Sequence, residues 1–286
     1  MRGVVSAGMV GALEKLGLRD CFDAVYGTSA GAISGAYFIA GQARYGTTIY
    51  EDINNRKFID LWRLAQGTPV VSLEFLLDEV CVAQKPLMFE RVLRSDIPLR
   101  VLAASISRKS AVVLKDFTDQ RDLLDALRAS ARIPYFAGEP VQFRNDQFLD
   151  ASLYESIPFR AAIADNATDL MILLTRPLGC LRPNPSWINR FFVVPYLRRI
   201  DPTLVSRYLT RAVTYRSEID AIHTHARGKN LPDMVLVHLP EGAQDVGPFD
   251  LSREKLAAGA KAGFSAVYSA LGLDKAEPPE IPAPAA

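Results

Sequence analysis

The residues with the clearest chemical promise are Gly27-Thr28-Ser29-Ala30-Gly31. A serine hydroxyl becomes a nucleophile when it projects from a tight turn beside a base that takes its proton. Glycines at 27 and 31 suit such a turn, because they remove Cβ clashes where an entering strand and a departing helix converge. A helix starting just after Ser29 would aim its first N–H groups at the hydroxyl and favour negative charge developing there. The bland alternative is a glycine-rich turn ahead of a helix, so the motif takes its meaning from its setting.

That setting is legible. Residues 22–26 pattern as a short strand, and Ala30-Gly31-Ala32-Ile33 opens a helix that runs toward Ile39. Upstream, Val5, Met9, Ala12, Leu13 and Leu16 lie at helical spacing, with Gly17 as the stop. The small residues Ser6, Ala7, Gly8 and Gly11 predict close packing of that helix against another backbone. Downstream, residues 99–107 and 111–115 read as strands around a polar turn, and 122–131 as a helix ended by Pro134. A hairpin follows at 141–149. Apolar runs at 170–174 and 234–239 suit buried parallel strands, and 204–227 and 251–271 suit long helices. Strands alternating with helices predict an α/β three-layer sandwich, its central sheet mainly parallel, with helices on both faces. Residues 1–175 are expected to form the core, 176–275 a cap and closing helices of the same domain, and 276–286, rich in proline, a disordered tail.

Composition removes several kinds of chemistry. A net charge of +1 gives no support to nucleic-acid binding. Cys21, Cys81 and Cys180 are scattered without a CxxC pair, and His223, His225 and His238 fit no zinc pattern, so neither metal nor cofactor is expected. The isolated cysteines and the lack of a signal-like start predict a cytoplasmic protein, and the apolar stretch at 30–40 is too short to span a bilayer. A histidine-assisted serine of the α/β-hydrolase type needs several strands before the nucleophile, yet fewer than thirty residues precede Ser29. His238 sits inside an apolar run. His223 and His225 close a helix, where they suit its macrodipole.

The ordered motifs resemble the patatin-like phospholipase family over most of the chain to about residue 175. Gly27 to Gly31 resembles its nucleophile elbow. Ala129-Ser130-Ala131-Arg132-Ile133-Pro134 is similar to its block of small residues ending in Ile-Pro. Phe148-Leu149-Asp150, followed by Ser156-Ile157-Pro158, resembles its aspartate block. Met1-Arg2-Gly3 looks like the end of its glycine-rich oxyanion segment. The resemblance implies a dyad of Ser29 with Asp150 as a direct base. It places Arg2, Gly3 and Ala30 at the oxyanion, and it makes the substrate a phospholipid or other acyl-ester lipid.

Two departures from the family pattern bear on the site. Ser152 stands where glycine is usual, which adds bulk to the aspartate loop. The family's first strand and glycine run have no counterpart, which leads us to expect a longer natural protein in which Met1 is internal. An acyltransferase and a catalytically weak lipid-binding protein are the alternative functions. Residues 187–199 combine aromatic and basic side chains. They read either as a peripheral membrane contact or as a cover over the cleft with its apolar face in the core.

Overall fold

The structure, a computed structural model, describes residues 1–177, 179–225 and 232–273. The expected C-terminal tail lies outside the described residues. Helix α1 (Gly3–Lys15) leads through a 3-10 turn into strand β1 (Val25–Thr28), which gives way to α2 (Ala30–Ile39) at Ser29. Short helices α3 (Ala43–Thr47) and α4 (Ile49–Asp52), a wide-turn π-helix (Phe75–Gln84) and α5 (Phe89–Leu93) follow. Then come β2 (Leu99–Ser105), β3 (Ser110–Leu114), α6 (Gln120–Ala131), β4 (Val141–Phe143), β5 (Asp146–Asp150) and α7 (Phe159–Ala164). The chain closes with β6 (Asp169–Pro177), α8 (Trp187–Ile200), α9 (Thr203–His225), β7 (Asp233–Leu239) and α10 (Arg253–Ala270).

The α/β layering expected from the sequence is present. The five-stranded sheet is mixed rather than mainly parallel, with β1–β2 parallel and β2–β3, β2–β5 and β4–β5 antiparallel, while β6 and β7 form a separate parallel pair, as their apolar runs predict. The connections explain this. A few polar residues join β2 to β3, and fewer still join β4 to β5. Such links allow only hairpins, whereas parallel neighbours need a crossover of a dozen residues or more.

Two apolar clusters hold the layers. Ala32, Ala36 and Tyr37 of α2 pack with Val101 and Ala103 of β2, Leu123 and Leu127 of α6 and Leu149 of β5. On the other side, Val5, Met9 and Leu13 of α1 pack with Phe264 and Val267 of α10 and with Val237 and Leu239 of β7. The α1–α10 contact is a backbone contact, as the run of small residues predicts. A Cβ on Gly8 would stand 2.1 Å from the Ala260 carbonyl oxygen, and one on Gly263 would stand 2.2 Å from that of Val5.

Candidate active site

Strand β2 organises the site, and its registers fix where the other elements end. Val101 and Leu102 pair with both β1 and β3, and Ala103 to Ser105 pair with both β3 and β5. A strand has only two edges, so β1 and β5 must share the edge opposite β3. Strand β1 runs up that edge and ends with Thr28 beside Leu102. Strand β5 runs down it and ends with Asp150 beside Ala103. Thr28 and Asp150 therefore meet end to end, one residue step of about 3.3 Å apart along β2. Ser29 cannot continue along the edge, because Asp150 already occupies the next position.

The chain leaves the sheet there at a backbone cost. Ser29 has φ 55° and ψ −128°, a region that a side-chain-bearing residue enters at about 1–3 kcal/mol. Helix α2 begins at the next residue. A Cβ on Gly27 would lie 2.4 Å from Ala32 Cα, so the return of the helix over the strand requires glycine at 27. The expectation for Gly31 is corrected: a Cβ there would meet nothing within 4 Å, because the side of α2 carrying Gly31 faces open space.

The block at residues 129–134 braces both sides of the meeting point. Ser130 Oγ accepts the Ser29 N–H at 2.8 Å and donates to the Leu102 carbonyl at 2.6 Å. The Arg132 carbonyl accepts the Asp150 N–H at 2.9 Å. Sequence pattern places these residues in a helix-to-loop block but gives no hint that one is a strut.

Asp150 is 4% exposed, and its Oδ1 accepts the Ser152 N–H at 2.9 Å, capping a short 3-10 turn. Position 152 contributes its backbone, and its φ is not positive, so serine is accommodated where glycine is usual. Among the described residues, the Ser29 hydroxyl makes no hydrogen bond, to Asp150 or to any other group.

The head of α1 abuts the head of α2. A Cβ on Gly3 would come within 2.4 Å of Ala30 Cβ and 2.3 Å of the Tyr50 hydroxyl. The Val4 and Val5 N–H groups bond the Met1 and Arg2 carbonyls, which leaves the Gly3 N–H without a partner among the described residues. Arg2 is turned elsewhere: its guanidinium makes a two-pronged contact with Asp245 at 3.1 and 2.8 Å. From Gly3 and Ala30 an apolar cavity of about 80 Å³ runs inward, lined by Ile33, Tyr50, Phe58 and Leu76 among others. Among the described residues there is no cluster of histidine, cysteine and carboxylate groups able to hold a metal.

A profile of patatin-like phospholipases matches residues 1–163, more than half of the chain. The chain belongs to the patatin-like phospholipase family. An Escherichia coli K12 protein named "Uncharacterized protein YjjU" is 27% identical over 191 residues, covering 66% of this chain and 53% of that protein. The chain thus spans about half the length of this curated relative. The family match covers every element described at the site, from Gly3 to Asp150. It ends before β6.

Proposed function

We propose that this patatin-like protein hydrolyses acyl esters of lipids through an acyl-enzyme on Ser29, with Asp150 as the base. The observation that carries this reading is the head-on arrival of β1 and β5 on one edge of β2. That arrival, together with the strain at Ser29 and the burial of Asp150, supports their pairing. In the free protein the two need not be bonded, because catalytic hydrogen bonds often tighten only when substrate is bound.

The chemistry follows from these groups. Ser29 Oγ attacks the ester carbonyl carbon while Asp150 takes the hydroxyl proton. The carbonyl oxygen becomes an oxyanion beside the heads of α1 and α2, where the Gly3 and Ala30 N–H groups and the two helix dipoles stabilise it. The C–O bond breaks, and the leaving alcohol collects the proton from Asp150. Water then gives a proton to Asp150 and attacks the acyl carbon, releasing the fatty acid and restoring the Ser29 hydroxyl. The apolar cavity beside Gly3 and Ala30 receives the start of the acyl chain. Arg2, held by Asp245, fixes the first turn of α1.

Access to lipid is proposed to come through α8. Val193 and Leu197 pack inward, while Trp187 is 77% exposed and Phe191 68%, with Ile188 beside them. Both faces of the helix are therefore apolar, and the outer one suits an interfacial seat. No helix among the described residues is long and apolar enough to cross a membrane.

A fluorophosphonate probe tests the acyl-enzyme step. The native protein should label, whereas Ser29→Ala should not. Asp150→Asn should label on the order of a hundredfold or more slowly, as loss of a general base requires. Labelling of Ser29→Ala at the native rate would sink the assignment.

A further inference from the structure

The apolar cavity beside Gly3 and Ala30 is a tube with three walls. Gly3, Ala7 and Val10 line it from one face of α1, and Ala30, Ser34 and Tyr37 from one face of α2, both at helical spacing. Helices α3 and α4 form the third wall, running back along α1 from its end to its head. Glu14 accepts the Ala43 and Arg44 N–H groups at 2.7 and 2.9 Å, and Thr47 donates to the Ala7 carbonyl at 3.0 Å. The Tyr50 hydroxyl then stands against Gly3, where a Cβ would come within 2.3 Å of it.

Burial tells the open end from the closed one. Met1, Gly3, Ala30 and Tyr50 are partly exposed, whereas Val10, Tyr37, Ala43 and Gly46 are buried. The mouth is therefore at the helix heads, one residue from Ser29, and the inner end is shut. Tyr37 shuts it. Its hydroxyl donates to the Lys85 carbonyl at 2.5 Å, and its ring sits so close to α3 that a Cβ on Gly46 would stand 2.6 Å from Tyr37 Cγ. The Ser34 hydroxyl is turned back into its own helix, donating to the Ala30 carbonyl at 3.1 Å, so it adds no free donor to the lining.

Length and volume give nearly the same capacity. From Gly3 to Val10, and from Ala30 to Tyr37, the helices advance about 10 Å. An extended carbon chain advances about 1.2 Å per bond, as an extended backbone does, so the tube is about eight carbons long. Its volume is about 80 Å³; a water takes about 10–15 Å³ of such space and a methylene is close to a water in size, which leaves room for about six.

We infer that this groove binds the acyl chain of the ester, that a chain of about six to eight carbons fills it, and that Tyr37, backed by Gly46, sets the limit. The preferred substrates are then esters of medium-chain fatty acids, because a longer chain must leave the rest of its length outside the apolar walls. This rests on the assignment of Ser29 to acyl transfer and adds to it a chain-length determinant on α2 and α3.

The test uses the full chain with p-nitrophenyl esters of butanoate, hexanoate, octanoate, decanoate and dodecanoate, kept below their aggregation concentrations. Each methylene that enters the groove should raise kcat/KM about fourfold, and each one beyond its end should add nothing, so the profile should break at about six to eight carbons. Two substitutions should move the break in opposite directions, whereas general damage would slow all esters alike. Ala7→Leu fills the tube about halfway along, so the break should fall to about four carbons. The octanoate-to-butanoate ratio of kcat/KM should drop at least about tenfold with it. Val10→Ala enlarges the inner end and should move the break up by about one or two carbons. Binding is read separately on Ser29→Ala, titrated calorimetrically with the sodium salts of the same acids. Octanoate should bind at least about tenfold tighter than butanoate and dodecanoate no tighter than octanoate, and Ala7→Leu on that background should remove the octanoate advantage.

The inference is overturned if the gain continues through dodecanoate, if either substitution folds and leaves the break in place, or if octanoate binds Ser29→Ala no tighter than butanoate. The two readings fail separately. Fatty-acid binding with this cutoff but no ester hydrolysis would leave the groove standing and remove the hydrolase, and hydrolysis without a break would do the reverse.

Discussion

Replacing Ser130 by alanine should damage the elbow without touching either reacting group. The Ser130 side chain is fully buried and makes two short hydrogen bonds, one to each backbone group it bridges. Alanine removes both and leaves the Ser29 N–H without its partner. A buried donor left unsatisfied costs about 1–3 kcal/mol, and loss of the second, ordinary bond adds about 1 kcal/mol. Folding stability should therefore fall by about 2–4 kcal/mol, read from urea unfolding. The functional effect is separable. The strain at Ser29, about 1–3 kcal/mol, is held in place partly by this strut. If the elbow relaxes by that amount, Ser29 leaves its place at the end of β1, and fluorophosphonate labelling should slow by about ten- to a hundredfold. Labelling should be measured well below the unfolding transition, so that the unfolded fraction does not contribute. A variant within about 0.5 kcal/mol of the native stability and within about twofold of its labelling rate would refute the claim that Ser130 holds the nucleophile.

Three further outcomes follow from the geometry. Gly27→Ala should abolish labelling or prevent folding, since its Cβ would strike the backbone of α2, while Gly31→Ala should fold with stability within about 1 kcal/mol of native; equal damage at both positions would contradict the elbow geometry. Burial raises the Glu218 carboxyl to about 7, against 4.5 for an ordinary glutamate, so the folded state binds its proton more tightly; the stability this contributes is full below about pH 4.5 and is lost as pH rises toward 7. The difference in stability between native protein and Glu218→Gln should accordingly drift by about 2–3 kcal/mol over that range, and a constant difference would show that Glu218 does not titrate there. Trp187→Ala with Phe191→Ala should lose liposome flotation while keeping the native unfolding midpoint, and unchanged flotation would return α8 to a purely structural role.

Much of this protein was written locally. Helices α1 and α2 and strands β1 and β2 follow from hydrophobic spacing, and the glycine–serine elbow is visible as five consecutive residues, because helices, strands and tight turns are decided by neighbours in the chain. The region from α3 to α5 and the short helix α7 were not legible. They are pieces of a few residues each, held by packing rather than by a repeating pattern, and too short to show a period. The mixed sheet differs from the mainly parallel one expected, because apolar runs announce strands without announcing their direction.

The site was legible as parts and not as an assembly. Ser29 stood out by its motif. Asp150 and the block around Ser130 stood out only through family resemblance, since an aspartate at a strand end is otherwise commonplace. That β1 and β5 share one edge of β2 and collide there is a property of two strand registers, which bring together chain ends more than a hundred positions apart. Arg182 and Arg211 illustrate the limit most clearly. In the sequence they are two of 33 basic residues in a nearly neutral chain, and nothing local sets them apart. Among the described residues, Arg211 has its Nε buried without an acceptor and Arg182 turns to the Ser156 hydroxyl, and only the tertiary structure decides which polar atoms lose their water.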